Sequence, residues 1–327
     1  MIDQKELIRL LNSSESISGT ALGDALGVSR VAVQKKIQGL MENGLPVNAV
    51  SGKGYSLEDG ITLLDGDTIL KKSQVAELLT DVEVLQNVAS TNTHLLSKEI
   101  TTNRARICLA ESQSSGRGRR GNNWQSSPYR NVMLSLSWGF DHWPATITGL
   151  GLAVSLCIVE TLNNNYGLDV EIKWPNDLMV RNGDVYDKLG GILVDVAGES
   201  SGACNVVIGL GLNVHQPDWS QELGAAYQWQ DLLGLGVKVD RNVLCADLID
   251  ALVVMLAEFS KTGFESMTER WNDLSSYAGK LIRVGDCEQY VEGYMEGVDA
   301  AGALLVRGKD DQLHRFVEST VSVRLVS

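Results

Sequence analysis

The stretch ESQSSGRGRRGNNW, residues 111–124, sets Arg117, Arg119 and Arg120 among Gly116, Gly118 and Gly121 in a chain whose formal charge is -13. Guanidinium groups make bidentate contacts to carboxylates and phosphates, and intervening glycines let the backbone approach a ligand closely. Such a loop suits a ligand carrying more than one anionic group. Without that ligand the arginines repel one another, so the loop is expected to be mobile until the anion arrives. Taken alone, the same residues also describe a solvated surface turn. The glycines match GxGxxG formally, but a dinucleotide fingerprint opens a helix, whereas NNWQSSPYR contains Pro128 and leads into a strand. An ordinary nucleic-acid patch fits poorly too, because the surroundings are acidic and the nearest aromatic, Trp124, stands alone.

Two further stretches carry polar side chains on strand-like sequence. KWPNDLMV places Lys173, Asn176 and Asp177 at a strand followed by a turn that Trp174-Pro175 stiffens. DKLGGILVDV opens an apolar strand with Lys188, and Gly190-Gly191 would let a ligand lie against the backbone. A lysine leading into a buried strand is costly unless an anion accompanies it. Each piece by itself is equally compatible with a purely structural role.

The elements that must position these residues form three segments. Residues 1–62 read as helix, helix, turn, helix and hairpin, the order of a winged helix-turn-helix. QKELIRLL is amphipathic, Gly27 closes one helix, Ser29 caps the next, and the hairpin turns at Ser51-Gly52-Lys53-Gly54. Between residues 28 and 55, Arg30, Lys35, Lys36 and Lys53 face Glu42 alone, which is the concentration of positive charge that phosphate contact requires. A small helical interaction module is the alternative. Residues 66–272 alternate strand-like and helix-like runs, with strands in ARICLAESQ, NVMLSLSWGF, VEIKWPNDLMV, KLGGILVDV and ACNVVIGLGLNV, and helices over 91–99, 146–165 and 241–260. That is a mixed α/β domain on one sheet. Residues 275–327 change to short runs between glycines, which predicts a small β-barrel. The whole is an α+β chain.

Bulk properties agree with an ordered protein and narrow its class. A length of 327 residues suggests two or three domains, and 44% hydrophobic with 21% charged residues is globular usage. The longest apolar stretch, Ile147 to Val159, falls short of the roughly 20 residues of a bilayer crossing and reads as a buried helix, and no secretory pattern opens the sequence. A cytoplasmic location without membrane attachment is expected. Cys108, Cys157, Cys204, Cys245 and Cys287 are scattered and odd in number, so neither a disulfide frame nor a structural zinc is expected.

Taken together, STN at 90–92, ESQSSGRGRRGNNW, KWPND, KLGGIL and GLGLNV, in this order and spacing, closely resemble the biotin protein ligases, and the leading winged helix resembles the bifunctional subgroup that also represses biotin-synthesis genes. The resemblance implies a class II synthetase-like sheet centrally and an SH3-like barrel at the end. It implies ATP-dependent conversion of biotin to biotinyl-5'-AMP, then transfer to a lysine of the biotin carboxyl carrier protein. On the family pattern Lys188, Arg117 and Arg119 are catalytic, and Ser90, Thr91, Asn92, Gln113, Gly118 and Gly191 join them around biotin. Arg119, Arg120, Trp124, Lys173, Asn176 and Asn213 belong to the nucleotide side, and Mg2+ is expected to arrive with ATP, with Asp177 helping to place it and no protein metal cage. Ser29, Arg30, Val33, Gln34, Lys36 and Lys53 are implied DNA contacts, and operator DNA and a homodimer formed with adenylate bound are implied partners. The nearest rival is a lipoate-type ligase, which shares the domain type, and another is a repressor that senses biotin without catalysis.

The sequence departs from the family at three places. Asn122 stands where another basic residue is common, the connection from Asp177 to Lys188 is longer than expected, and STVSVR lacks an acidic residue just before the final strand although Arg324 matches.

Overall fold

The computed structural model describes residues 4–12, 16–50, 52–58, 61–99, 101–141, 147–198, 203–215, 228–285, 289–317 and 321–326. Cys287, Ser51 and residues 318–320 of the STVSVR region lie outside them.

The first unit contains α1 (Gln4–Asn12), α2 (Gly19–Leu26), α3 (Arg30–Glu42) and the hairpin β1 (Val47–Val50) with β2 (Gly54–Leu57). Ser18 and Ser29 cap α2 and α3 by accepting from the amides of Ala21 and Ala32, and Gly27 ends α2 in the left-handed conformation at φ 65°. Leu7, Ile8 and Leu11 pack on Leu22, Val33, Ile37 and Leu40. This placement corrects one expected DNA contact: Val33 is 0% exposed, because it heads the apolar stripe Val33, Ile37, Leu40 at helical spacing. Lys36 is half-buried and donates to Gln4 Oε1 at 2.9 Å, so it ties α3 to α1 instead of facing outward. Ser29, Arg30, Gln34 and Lys53 are exposed as expected, joined by Val31 at 73% exposure and Lys35.

The central unit is a seven-stranded sheet in the order β3-β4-β5-β9-β8-β7-β6, formed by β3 (Leu79–Leu85), β4 (Ala105–Ala110), β5 (Val132–Phe140), β6 (Val170–Lys173), β7 (Asp177–Asn182), β8 (Val185–Gly198) and β9 (Cys204–Leu212). Only β3 and β4 run parallel; the other neighbours are antiparallel. One face carries α6 (Leu150–Tyr166) and α7 (Arg241–Thr262), with α4 (Gly66–Lys72) on α7, and the core runs between them. Ile147–Tyr166 is long and apolar enough to cross a bilayer, but its side chains from Leu150 to Leu162 are almost all buried within the protein. The short helix α5 (Thr91–Leu96) lies against β4, β5 and β9 and stops before the expected residue 99. β3, α4 and α8 (Thr268–Asp273) were absent from the sequence reading. The last unit is a five-stranded antiparallel sheet, β13-β12-β11-β10-β14, from β10 (Leu281–Gly285), β11 (Tyr290–Val298), β12 (Leu304–Gly308), β13 (Leu313–Phe316) and β14 (Ser322–Leu325).

The first two units share packing. Tyr129, with φ 65° and 2% exposure, is a member of the winged-helix core. Gly44 lies so close to Pro128 that a Cβ would stand 2.7 Å from its ring. Arg130 pairs with Glu58, which holds the Glu58 carboxyl below its ordinary pKa. Behind them, Arg241 and Glu111, 3% and 0% exposed, form a 2.8 Å ion pair. Glu111 also accepts from the Leu64 amide, and Arg241 donates to the carbonyls of Asn131 and Thr62, so the buried charges are fully bonded.

Candidate active site

The arginine loop is a small hairpin whose stem is closed by the Tyr129 amide donating to the Glu111 carbonyl at 2.8 Å. Within it, Trp124 N donates to Gly116 O at 2.9 Å and Gly118 N to Asn122 O at 2.7 Å, while Arg120 and Gly121 turn the tip at positive φ. Arg117 forks onto Asp195 at 3.0 and 3.1 Å, and Arg119 donates to Asn176 Oδ1 at 3.3 Å. Carboxylate and amide oxygens engage the guanidinium donors.

Beneath this hairpin lies a cavity of about 550 Å³, within the ~300–1,000 Å³ range of small-molecule sites. It brings together Ser90, Thr91, Asn92, Gln113, Arg117, Gly118, Arg119, Arg120, Trp124, Lys173, Asn176, Lys188 and Gly191, every expected ligand residue but one. Asn213 is the exception. It is buried behind the wall, where its amide donates to the carbonyls of Lys188 and Gln230 and fixes the backbone that carries the lysine.

One end is a hydrogen-bonded cage at the start of α5. Ser90 caps the helix, Thr91 contacts Gln113 Oε1 through its amide at 2.8 Å, and the Ser135 hydroxyl lies 2.7 Å from Thr91 Oγ1 and 2.6 Å from Asn92 Oδ1. Asn92 Nδ2 donates to Asp195 at 2.9 Å, so Asp195 serves this cage and Arg117 together. At the opposite wall Lys188 Nζ lies 2.5 Å from Asp177 Oδ1, and Lys173 Nζ 3.4 Å from Oδ2. Burial acts to raise the Asp177 pKa, but the two ammonium groups outweigh it and hold the carboxyl below its ordinary value. Asp177 is thus the anionic partner that a lysine entering a buried strand requires. Trp174-Pro175 is a cis peptide bond in the turn between β6 and β7.

Trp124 lines the cavity with its ring centroid 5.5 Å from Lys188 Nζ, and its buried Nε1 has no hydrogen-bond partner among the described residues. Its floor is glycine. A Cβ at Gly211 would collide with the Trp124 ring, and one at Gly209 with the Asn92 side-chain amide. Gly191 is less confined, with a Cβ 3.3 Å from Lys188 Nζ, whereas Gly190 faces the neighbouring strand and does not line the cavity. Gly209, Gly211, Ser135 and Asp195 were missed from sequence. The alternating glycines of GLGLNV were the available signal for the first two; nothing local marked the others.

A DNA-reading fold fused to a sheet whose cavity pairs a polar cage with clustered cations defines a helix-turn-helix protein carrying a ligase-type domain. The Biotin/lipoate A/B protein ligase family model matches residues 84–213, and the HTH domain model residues 3–56. The bifunctional ligase/repressor BirA of Salmonella typhimurium is 35% identical over 97% of this chain and 96% of its own length, and that of Escherichia coli 34% over 98% and 96%. The chain belongs to this family of bifunctional biotin ligase/repressors. The fold is also that of the biotin protein ligase from Aquifex aeolicus in complex with biotin and ATP, at TM-score 0.62 and 20% identity over 76% of this chain and 99% of that one.

Proposed function

We infer that this protein joins biotin to ATP, giving biotinyl-5'-AMP and pyrophosphate, passes biotin to a lysine of the biotin carboxyl carrier protein, and represses biotin-synthesis genes through its winged helix. The observation that carries this reading is the division of one cavity between the cage of Thr91, Asn92 and Gln113 and the cations Lys188, Lys173, Arg117 and Arg119.

The ureido ring of biotin brings donors and an acceptor that are expensive to bury unpaired, and the cage supplies their complements. A carboxylate and a triphosphate repel each other, so both must be neutralised while they are held in line. Arg117 leaves Asp195 for the ligand and Arg119 takes phosphate oxygens, with Arg120 folding over from the exposed tip. Lys188 leaves Asp177 and bridges the biotin carboxylate and the α-phosphate, where negative charge builds. The carboxylate oxygen forms the new bond to phosphorus as the bond to the bridging oxygen breaks, and pyrophosphate departs with the electron pair. In the second step the carrier amine attacks the acyl carbon, AMP leaves, and the amine proton is released. Trp124, with Lys173 and Asn176 opposite, covers the adenylate, and its orphaned Nε1 gains a partner there.

Mg2+ accompanying the triphosphate would offset charge on its oxygens. Asp177, the one acidic side chain lining the cavity among the described residues, is the residue that would hold the ion once the lysines turn to substrate. On this reading residues 1–62, 66–272 and 275–327 are the reader, catalytic and cap units, and the protein works in the cytoplasm. With adenylate bound it pairs as a homodimer that sets two reader helices on operator DNA through Ser29, Arg30, Gln34 and Lys53. Incubation with ATP and either biotin or lipoate, followed by mass spectrometry of the small-molecule adenylate and of the carrier, tests the reaction. Biotin is expected in both products, and lipoyl adenylate or an unmodified carrier overturns it.

A further inference from the structure

A group of metal-ligating side chains outside the cavity has no part in the reaction above. Glu83 on β3 and Cys108 on β4 are register partners in the parallel pair, so their side chains leave the sheet on the same face. His94 on α5 packs over that face and its Nε2 lies 2.7 Å from Glu83 Oε2. One ligand atom from each of Glu83, His94 and Cys108 lies within 4.8 Å of the other two. We propose that these three residues bind a divalent transition-metal ion of the zinc type, between α5 and the β3–β4 pair and outside the biotin cavity.

Carboxylate, imidazole and thiolate together suit Zn2+ or Co2+ better than a hard cation such as Mg2+, which keeps to oxygen. The charges close: one carboxylate and one thiolate balance a dication, with the imidazole neutral. Cys108 gives its thiol proton to solvent as the metal–sulfur bond forms, so uptake releases one proton per ion. His94 and Glu83 are 22% and 33% exposed on their side chains, which leaves an approach for the ion and for a water in the fourth position. The resident cation is Lys98, 4.0 Å from Glu83; its long side chain is partly exposed and swings out to water on exchange. His94 lies two residues beyond Asn92, about 200° around the helix, but three beyond Thr91, about 60° from it, so the ion grips α5 beside the residues that hold the cavity.

The probe is Co2+ added to the reduced full-length protein. A visible ligand-field spectrum with a near-ultraviolet thiolate-to-metal band, saturating at one ion per chain and bleached by Zn2+, is expected. Cys108→Ser should lose the thiolate band, and His94→Gln should weaken Co2+ binding by at least tenfold while biotin adenylation persists. If Cys108→Ser does not fold, His94→Gln and Glu83→Gln carry the test through affinity alone. No thiolate band at excess Co2+, a band that survives Cys108→Ser, or affinities unchanged in His94→Gln and Glu83→Gln overturns the site.

Discussion

Gly209 and Gly211 stand two residues apart on β9 and so face the cavity together, yet the structure assigns them unequal consequences. A methyl at position 209 meets Asn92, which cannot retreat, because its side chain is bonded to Asp195, to the Leu193 carbonyl and to Ser135. Gly209→Ala therefore combines overpacking, ~1–3 kcal/mol, with loss of a buried hydrogen bond, ~1–3 kcal/mol. A total of about 2–6 kcal/mol, at about 2–4 °C per kcal/mol, lowers the melting temperature by on the order of 5–25 °C, and biotin affinity falls with it. A methyl at position 211 meets the Trp124 ring, whose Nε1 bonds nothing among the described residues and which can tilt away. Gly211→Ala should leave the melting temperature near wild type and release the adenylate ~5–150-fold faster, the equivalent of ~1–3 kcal/mol. Thermal melts, biotin calorimetry and an adenylate chase measure all three quantities. If Gly211→Ala holds the adenylate as long as wild type, or Gly209→Ala melts and binds biotin as wild type does, these glycines are not the floor of the site.

Lys188→Ala should slow pyrophosphate release by on the order of 10²–10³-fold with little change in biotin affinity; an equal loss in both would place the lysine in ground-state binding only. Val33→Ala should destabilise the reader unit by about 1–3 kcal/mol through its core without altering operator selectivity, while Gln34→Ala should do the reverse, as melts and operator titrations would reveal. Glu58, held low by Arg130, binds its proton more weakly folded than unfolded, so its stabilisation is present above the ordinary carboxyl pKa and lost as pH falls through the lowered value. The melting-temperature gap between wild type and Glu58→Gln should be open at about pH 6 and narrow as pH falls below the ordinary carboxyl value of about 4.3, and a gap that widens in acid contradicts the pairing.

Contiguity decided what was legible from sequence. The arginine loop, Lys173 to Asp177 and Lys188 each carry their chemistry within a few residues, and so does the helix-turn-helix with its Gly27 stop and Ser29 cap. Val33 was misplaced although its stripe with Ile37 and Leu40 was readable, because apolar spacing identifies the inward face before any contact is assigned. Asp195 was unreadable: its partners Asn92 and Arg117 lie 103 and 78 residues away, and only the strand register joins them. The same holds for Asp177 as a counter-ion, which depends on the pairing of β7 with β8. Asn213 looked like a ligand contact and is instead a brace, since a strand-end residue points to one wall or the other according to register.

Tyr129 gives the molecule less modularity than its two family matches suggest. Its ring is a peg in a socket made by the reader unit, and its backbone closes the stem of the arginine hairpin. Cutting off the head leaves that peg in water and slackens the clasp on the bound product, so a headless protein should leak its activated intermediate. Grafting on a foreign head demands a matching socket, and evolution cannot exchange the DNA reader without recutting the catalyst beneath it.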